Sequence, residues 1–202
     1  MIQPVEYDVV CIAGDVLRGC IANLEDREFY ITNTMNPNVI KVGILMGSDS
    51  DWPKIKGASA ALTELGIAHE VRVMSAHRTP ALVTEYTETA ISRGLKVIIA
   101  AAGGAAHLAG VVASHTVLPV IGIPVATELC GGLDSLLSVV QMPGDVPVAT
   151  VGIGPGGARN AGILAAEILA LSDSQLHENL VKFKENLVAK VVEKNEKLQN
   201  VI

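Results

Sequence analysis

Three short runs of polar residues and glycines carry the side chains of this sequence that could do chemistry. They are Gly47-Ser48-Asp49-Ser50-Asp51, Ser75-Ala76-His77-Arg78-Thr79-Pro80 and Gly103-Gly104-Ala105-Ala106-His107-Leu108-Ala109-Gly110. Together these runs offer hydroxyl groups, carboxylates, one arginine, two imidazoles and backbone that a ligand can approach closely. Such a set suits a phosphorylated, hydroxyl-rich small molecule and a proton transfer.

The elements that would position these runs follow an α/β pattern from about residue 41. Short β-branched segments predict strands near 42–46, 68–74, 96–101, 119–124 and 146–151, with helical periodicity between them. This alternation is typical of βαβ units in a parallel sheet. Because ligands bind beyond the carboxyl ends of the strands in such a sheet, the three runs should line one crevice.

Apolar spacing and capping residues predict the helices. The first crossover helix takes Asp51 as its cap, and its expected buried face is Trp52, Ile55, Ala58, Leu62 and Leu65. The second begins at Thr79 and Pro80, and its expected buried face is Leu82, Val83, Tyr86, Ala90 and Ile91. Shorter helices are expected over about 106–114 and 133–140, and an alanine-rich helix over Ala158 to Leu171. A longer helix starts at Ser174, with an apolar stripe of Leu176, Leu180, Phe183, Leu187 and Val191.

This pattern divides the chain into three parts. Residues 1–40 form an N-terminal extension of unknown role, in which Tyr7–Ile12 and Phe29–Thr32 could be short strands. Residues 41–172 form the α/β domain, and residues 173–202 form a C-terminal helix. The apolar stripe of that helix is narrow and its other faces are charged. It therefore suits either docking on a neighbouring subunit or covering one sheet edge of its own domain.

Composition and charge exclude several classes of partner. The formal charge of −6 and the pI near 5.3 argue against binding to nucleic acid or to an anionic membrane surface, since either needs a basic face. No apolar run reaches the roughly 20 residues of a membrane-spanning helix. The three cysteines form no CxxC pair and the first residues lack the pattern of a secretory signal, so the expected location is the cytosol.

Each polar run has a functional and a purely structural interpretation. Ser48 and nearby backbone N–H groups can bind phosphate at a helix N-terminus, and Asp51 would accept hydrogen bonds from ribose hydroxyls. The alternative is a helix cap rich in serine and aspartate. Arg78 can pair with a phosphate and His77 can exchange a proton near neutral pH, but a helix-entry turn with two solvated side chains is the alternative. His107 could equally be a partly buried structural histidine.

Three other features carry less weight. Gly152-Ile153-Gly154-Pro155-Gly156-Gly157 matches the dinucleotide fingerprint G-x-G-x-x-G, but no strand with an acidic residue follows it. These glycines are therefore expected to allow close packing or close approach to the ligand rather than to bind a nicotinamide nucleotide. Cys130 lacks the partners of a nucleophile and is expected to be a buried thiol. No metal site is predicted, because neither Asp49 with Asp51 nor His107 with His115 has a spacing typical of metal ligands. The absence of Gly-Lys-Ser/Thr excludes a Walker loop.

Four segments in order resemble one enzyme family. They are Met46-Gly47-Ser48-Asp49-Ser50-Asp51-Trp52, Ser75-Ala76-His77-Arg78-Thr79-Pro80, Ala102-Gly103-Gly104-Ala105-Ala106-His107-Leu108 and Asp134-Ser135-Leu136-Leu137-Ser138-Val139-Val140-Gln141-Met142-Pro143. This set is similar to the 5-(carboxyamino)imidazole ribonucleotide mutases of purine biosynthesis, over about residues 41 to 185. Those enzymes isomerise 5-carboxyaminoimidazole ribonucleotide to 4-carboxy-5-aminoimidazole ribonucleotide by decarboxylation and recarboxylation.

The resemblance implies a Rossmann-like, flavodoxin-like three-layer α/β/α fold, assembly as a homo-octamer, and a final helix that reaches a neighbouring subunit. It implies His77 as the general acid/base with His107 assisting, and Ser48, Asp51 and Arg78 as ligands of phosphate and ribose. The full set of implied contacts with the ribonucleotide substrate is Gly47, Ser48, Ser50, Asp51, Ser75, Ala76, Arg78, Ala102, Gly103 and Leu108. No cofactor is expected, because the reaction has no redox step and hydrolyses no nucleotide.

Some positions bear on the choice of reaction. Arg78 after His77 and the Gly-Gly-Ala-Ala-His loop resemble the mutases, whereas related aminoimidazole ribonucleotide carboxylases that use free carbon dioxide usually have Lys after that histidine and an Arg-Ser-Asn loop. The family usually has Pro at Ala109 and a Lys-Ala pair near Pro155-Gly156. Since Pro fixes φ and Ala does not, Ala109 is expected to loosen a loop beside the carbon dioxide pocket. The alternatives are such a carboxylase and a catalytically impaired nucleotide-binding homologue.

Overall fold

Five parallel strands form the sheet of the computed structural model, which describes residues 39–202. The strands are β1 (Val42–Met46), β2 (His69–Val73), β3 (Val97–Ala102), β4 (Val120–Pro124) and β5 (Ala149–Thr150). Their order is β2-β1-β3-β4-β5, which is the order of flavodoxin-like doubly wound sheets. The predicted fold class is therefore confirmed. The possible strands at Tyr7–Ile12 and Phe29–Thr32 lie outside the described residues.

Four helices connect these strands and two follow the last strand, and each corresponds to a helix predicted from the sequence. They are α1 (Trp52–Glu64), α2 (Pro80–Thr89), α3 (Leu108–Ser114), α4 (Leu133–Val140), α5 (Pro155–Ala170) and α6 (Ser174–Gln199). Within residues 39–202, none of them combines the length and the apolar composition needed to cross a membrane.

The helices cover both faces of the sheet and create two apolar cores. Successive side chains of a strand point to opposite faces. Ile44 and Ile99 pack with α1, α5 and the start of α6 on one face, whereas Leu45 and Ile98 pack with α2, α3 and α4 on the other. β1, β3 and β4 are buried along their whole length, as expected for parallel strands covered on both sides. The ends of these strands are therefore where polar loops can begin.

The last strand is shorter than predicted. β5 comprises only Ala149–Thr150 instead of residues 146–151, and its register pairs it with Ile121 and Gly122 of β4. Pro147 has no N–H to donate to a longer ladder, and Asp145 has a left-handed φ of 69°. The chain therefore enters the sheet only for these two residues.

Three of the side chains expected in the core are exposed. Trp52, Leu82 and Ile91 are 37%, 53% and 51% exposed, respectively. On α2 the buried residues are Val83 and Thr87, one turn apart. Leu82 lies on another side of this helix, and Ile91 follows its last residue, Thr89. The predicted inner face of α2 was therefore too broad.

Glycines allow α1 and α5 to pack closely. A Cβ on Gly162 would lie 2.5 Å from the carbonyl oxygen of Ala58 and 2.9 Å from Cβ of Ala61. A Cβ on Gly157 would lie 1.5 Å from the carbonyl oxygen of Gly152, so the chain before α5 folds back onto its first turn. Close packing thus accounts for Gly157, and a left-handed φ of 88° accounts for Gly154.

A polar network ties α2 to the edge of the sheet. Glu70 on β2 has a side chain only 8% exposed, and it accepts hydrogen bonds from Tyr86 at 2.9 Å, Arg72 at 2.8 Å and Arg93 at 2.5 Å. Burial disfavours the Glu70 carboxylate, yet the hydrogen bonds from Arg93, Arg72 and Tyr86 together hold its pKa below the usual value. Tyr86 reaches Glu70 over Gly43, where a Cβ would lie 2.1 Å from the phenol oxygen. The network fixes the helix that follows the second polar run.

Only the start of α6 packs on the domain. Leu176 and Leu180 are each 7% exposed, whereas Leu187 and Val191 further along the predicted stripe are 42% and 67% exposed. Most of this 26-residue helix therefore presents its apolar side chains away from the core of its own chain.

We expect Gly162→Ala to destabilise the protein by about 1–3 kcal/mol, because the added methyl group would overlap the backbone of α1. Gly156→Ala is the matched control on the same helix, since a Cβ there meets nothing within 4 Å. Alanine at this control position favours the helix by up to ~1 kcal/mol. Urea unfolding of both variants measures the difference. A Gly162→Ala protein as stable as the wild type would contradict the close packing of α1 against α5.

Candidate active site

A cavity of about 400 Å³ lies beyond the carboxyl ends of β1, β2 and β3. The three polar runs meet there, as the sheet topology predicts. Its lining residues are Gly47, Ser48, Asp51, Ser75, Ala76, His77, Arg78, Ala102, Gly103, Ala106, His107 and Leu108. Of the residues predicted for the site, only Ser50 is not in this lining. Ala106, which belongs to the third polar run but was not among the residues predicted for the site, also lines the cavity.

The first polar run leaves β1 as a single turn over Asp49–Asp51. Ser48 Oγ caps this turn by accepting a hydrogen bond from the Ser50 N–H at 3.3 Å, and it lies 2.8 Å from Ser50 Oγ. Asp51 precedes α1, but its side chain makes no capping hydrogen bond. Asp51 therefore occupies the predicted N-cap position of α1 but does not cap the helix with its side chain, and Ser48 provides the side-chain cap one turn earlier. Ser50 supports Ser48 from outside the cavity.

The second polar run is held in shape by its own hydroxyl groups. Thr79 Oγ1 accepts a hydrogen bond from the Ser75 N–H at 2.9 Å and donates one to the Ser75 carbonyl at 3.1 Å. Ser75 Oγ accepts from the N–H groups of His77 and Arg78, both at 3.3 Å. These bonds fix the backbone from which the two functional side chains project.

Arg78 connects the second polar run to the first. Its Nη2 donates a hydrogen bond to the carbonyl oxygen of Gly47 at 2.6 Å. A guanidinium has five N–H donors in a planar fork, and this is the one that is bonded within residues 39–202. The remaining donors of this side chain can therefore bind an anion in the cavity.

The two histidines of the site contact each other directly. His77 Nε2 lies 2.7 Å from His107 Nδ1, and the rings meet edge to face with their centroids 4.9 Å apart. Because one of these two nitrogens must carry the proton of the hydrogen bond, the rings share a proton between them. His77 Nδ1 and His107 Nε2 stand outside the shared bond. The pair can therefore accept a proton at one end and release one at the other.

The third polar run contains two residues with left-handed backbone. Gly104 has a φ of 69° and Ala106 a φ of 45°, a conformation that costs an alanine about 1–2 kcal/mol. Helix α4 holds this turn, since Ser135 Oγ accepts from the Gly104 N–H at 2.9 Å and Ser138 Oγ donates to the Gly104 carbonyl at 3.3 Å. Both serines lie in the quoted Asp134–Pro143 segment, but no local pattern signals a contact across 31 residues of sequence.

Burial and two nearby cations have opposite effects on the pKa of Asp51. Burial raises the pKa of its carboxyl above the usual value, and the nearby charges of Lys54 and Arg78 oppose this rise. Lys54 also donates a hydrogen bond from Nζ to the Ala126 carbonyl at 2.7 Å, which ties α1 to the segment after β4. Lys54 is thus a residue at the edge of the site that sequence reasoning missed.

Other candidate residues lie away from the cavity. His115 follows α3 and lies 3.7 Å from Glu88 Oε1. Cys130 is exposed rather than buried as predicted, because the chain makes a sharp turn before α4 in which Cys130 itself has a left-handed φ of 46°. In the part of the chain that the structure describes, no group of three or more His, Cys, Asp and Glu side chains is arranged to hold a metal ion.

Comparison with known proteins identifies the family of this site. Residues 41–190 match the family of AIR carboxylases. The chain belongs to the AIR carboxylase family. Relatives in curated collections include the N5-carboxyaminoimidazole ribonucleotide mutase of Bacillus subtilis, 55% identical over 157 residues that cover 78% of this chain and 97% of the relative. The mutase of Mycobacterium leprae is 58% identical and is covered to 92%, with 79% of this chain aligned.

A solved structure also resembles this chain over most of its length. Treponema denticola PurE superposes with a TM-score of 0.70 at 30% sequence identity, covering 78% of this chain and 97% of that protein. The match to the AIR carboxylase family therefore spans the strands and helices that build the cavity.

For this AIR carboxylase family member, we expect Arg78→Ala to weaken the binding of ribose 5-phosphate about tenfold or more, because a charge-assisted hydrogen bond to the phosphate is lost. Arg159→Ala is the matched control, since it removes one positive charge on α5 where Arg159 pairs with Glu64. Isothermal titration calorimetry measures both dissociation constants. Unchanged affinity in Arg78→Ala would remove Arg78 from the phosphate site.

Proposed function

We propose that this chain is an N5-carboxyaminoimidazole ribonucleotide mutase, an isomerase of purine biosynthesis. Its substrate carries a carbamate on the exocyclic nitrogen of the imidazole, and its product carries a carboxylate on the neighbouring ring carbon. The 2.7 Å hydrogen bond between His77 and His107 at the cavity is the observation on which this proposal rests. It pairs two proton-exchanging groups beside side chains that suit a sugar phosphate.

The first two polar runs bind the ribose phosphate in this proposal. The unbonded N–H donors of Arg78 and the hydroxyl of Ser48 bind the phosphate, while Gly47 allows the ligand to approach the backbone. Asp51 accepts hydrogen bonds from ribose hydroxyls, since a carboxylate would repel a phosphate. Ser50 acts through its contact with Ser48. The other contacts, around the imidazole, are Ser75, Ala76, Ala102, Gly103 and Leu108.

The isomerisation proceeds through a decarboxylation and a recarboxylation. The bond between the carbamate carbon and the exocyclic nitrogen breaks, carbon dioxide leaves, and His77 donates a proton to the nitrogen that keeps the electron pair. The ring carbon then attacks the carbon dioxide, and the proton on that carbon returns to His77. Atoms and charges balance without an oxidant or a reductant, so the steps require only a positioned acid/base and a confined carbon dioxide.

His107 assists by stabilising each protonation state of His77. When His77 gives up its proton, His107 can supply the proton of the shared hydrogen bond, and when His77 gains a proton, His107 can accept one. This exchange requires the short contact between His77 Nε2 and His107 Nδ1. The pair therefore acts as one proton donor and acceptor.

Small buried residues provide room for the carbon dioxide beside the imidazole. Ala101, Ala102 and Ala106 are 0%, 8% and 4% exposed, and their methyl groups leave more space than larger side chains would. Ala109 is 1% exposed and lies in the first turn of α3 rather than in a loop. The backbone there is helical, so the lack of a proline at this position does not by itself loosen the wall of the cavity.

Two sequence features and the names of similar proteins favour the mutase over a carboxylase that uses free carbon dioxide. Arg78 follows His77, and the loop before His107 reads Gly-Gly-Ala-Ala, both of which resemble the mutases. The relatives from Bacillus subtilis and Mycobacterium leprae that carry the mutase name are 55% and 58% identical to this chain.

We expect the wild-type protein to convert the carbamate substrate without added bicarbonate, and His77→Asn to reduce kcat by roughly 10²- to 10⁴-fold because the acid/base is lost. Binding of the ribonucleotide should persist in His77→Asn, since Ser48, Asp51 and Arg78 are unchanged. Turnover assays and calorimetry measure the two quantities.

His115→Asn is the control for this experiment, because it replaces an exposed imidazole that is not in the cavity lining. Full turnover by His77→Asn would remove His77 from the proton transfer. Product formation only from aminoimidazole ribonucleotide and bicarbonate would identify the carboxylase instead, and binding without either turnover would identify an impaired homologue.

A homo-octamer is part of the same proposal, with the C-terminal helix within residues 173–202 packing on a neighbouring subunit. Two observations support it: the outer half of α6 exposes Leu187 and Val191, and both His77 and His107 are exposed in the single chain. Chemistry that must exclude water needs a cover for these rings. The proposed location is the cytoplasm, which cell fractionation tests. Analytical ultracentrifugation tests the assembly, and a particle of one 21.1 kDa chain would contradict it.

A further inference from the structure

The backbone before His107 is held only weakly by hydrogen bonds within its own run of residues. Within the Gly103–Ala106 turn, the Ala106 N–H donates to the Gly103 carbonyl at 3.3 Å, which is long for such a bond. Two residues of this turn, Gly104 and Ala106, have left-handed φ angles. For a residue other than glycine, here Ala106, such a conformation persists only where the surroundings impose it. Contacts from outside the turn must therefore define the position of His107.

Helix α4 supplies those contacts to both polar groups of Gly104. The Ser135 side chain is 0% exposed, and its Oγ accepts the Gly104 N–H at 2.9 Å. Ser138 Oγ donates to the Gly104 carbonyl at 3.3 Å while also bonding the Asp134 carbonyl at 2.8 Å. Ser135 therefore makes the shorter bond to Gly104. The Ser138 hydroxyl, in contrast, is shared between the Gly104 carbonyl and a carbonyl of its own helix.

The first turn of α4 is itself fixed to the segment that follows β4. Asp134 Oδ1 accepts a hydrogen bond from the Thr127 hydroxyl at 2.6 Å. This bond is the main reason why the pKa of the Asp134 carboxyl lies below its usual value, and the Ser135 hydroxyl contributes to the same effect. Val139, one turn after Ser135, is 1% exposed and packs in the core. Ser135 is thus held on a part of the helix that cannot shift freely.

We propose that Ser135 is a positioning residue for proton transfer: it holds the Gly104–Ala106 turn so that His107 Nδ1 stays within hydrogen-bond distance of His77 Nε2. His107 follows this turn directly, and its backbone starts α3. The role rests on the proposed function, in which His107 assists His77. Ser135 touches neither the cavity nor a reacting atom, so it acts only through the loop.

The decisive variant is Ser135→Ala, which removes one buried hydroxyl and no carbon atom. We expect kcat for the carbamate substrate to fall about 10- to 100-fold, since small displacements of catalytic groups have effects of this size. KM should stay within about threefold, because the ribose phosphate contacts lie on other loops. In ¹⁵N NMR spectra of histidine-labelled protein, the ring nitrogens of His77 and His107 should lose the chemical shifts of a hydrogen-bonded pair.

Thr87→Val is the matched control. Thr87 is 1% exposed, and its hydroxyl donates to the Val83 carbonyl within α2, so this variant also loses one buried hydroxyl but leaves the third polar run intact. We expect unchanged kcat and unchanged histidine spectra in Thr87→Val, whatever its stability. Equal losses of kcat in the two variants, or an intact histidine pair in Ser135→Ala, would overturn the positioning role.

A second variant keeps the test conclusive. If Ser135→Ala does not fold, Ser138→Ala removes the other bond to Gly104 and should change the same spectra in the same direction, by less. The spectra need no substrate, so they separate the two proposals. If the wild type never turns over the carbamate but Ser135→Ala changes the histidine spectra, the mutase proposal is refuted and the positioning role stands. If the wild type turns over the carbamate but Ser135→Ala leaves the spectra unchanged, the positioning role is refuted and the mutase proposal stands.

Discussion

The parallel register of β1 with its two neighbours is the constraint on which the whole site depends. Met46 at the end of β1 pairs with Val73 on one side and with Ala101 on the other. Adjacent strands of a sheet lie about 4.8 Å apart, so the loops that leave these three ends begin side by side. Crossover helices separate these loops in the sequence, yet the loops are in contact, as the hydrogen bond from Arg78 to the Gly47 carbonyl shows. The cavity is a consequence of where the strands stop.

Much of this arrangement can be predicted from the sequence, because local patterns determine it. The apolar runs of β1 and β3 and the helical spacing of α1 and α2 fix the elements, and the rule for open parallel sheets then places their loops together. The predictions failed where tertiary contacts decide. Trp52 has the spacing of a core residue but stays 37% exposed, and β5 shortens to Ala149–Thr150 at the edge of the sheet.

The finer geometry of the site has no counterpart in the local sequence. The distance between His77 and His107 depends on the left-handed φ of Ala106, and alanine is not a residue that signals such a conformation. The contact from Ser135 to Gly104 joins residues 31 positions apart in the sequence, so no local periodicity predicts it. Cys130 was misjudged for a related reason, since its side-chain direction follows from a sharp turn and not from the preference of cysteine for interiors.

The contact between the two imidazoles has a consequence for how the catalyst renews itself. In the proposed isomerisation, the proton that His77 donates to the substrate nitrogen is replaced by the proton that it accepts from the ring carbon. The hydrogen-bonded pair of His77 and His107 therefore ends each cycle in the protonation state in which it began. The pair does not have to exchange a proton with bulk solvent before the next ribonucleotide binds. The proposed cycle therefore includes no separate step that restores the protonation of the histidine pair between turnovers.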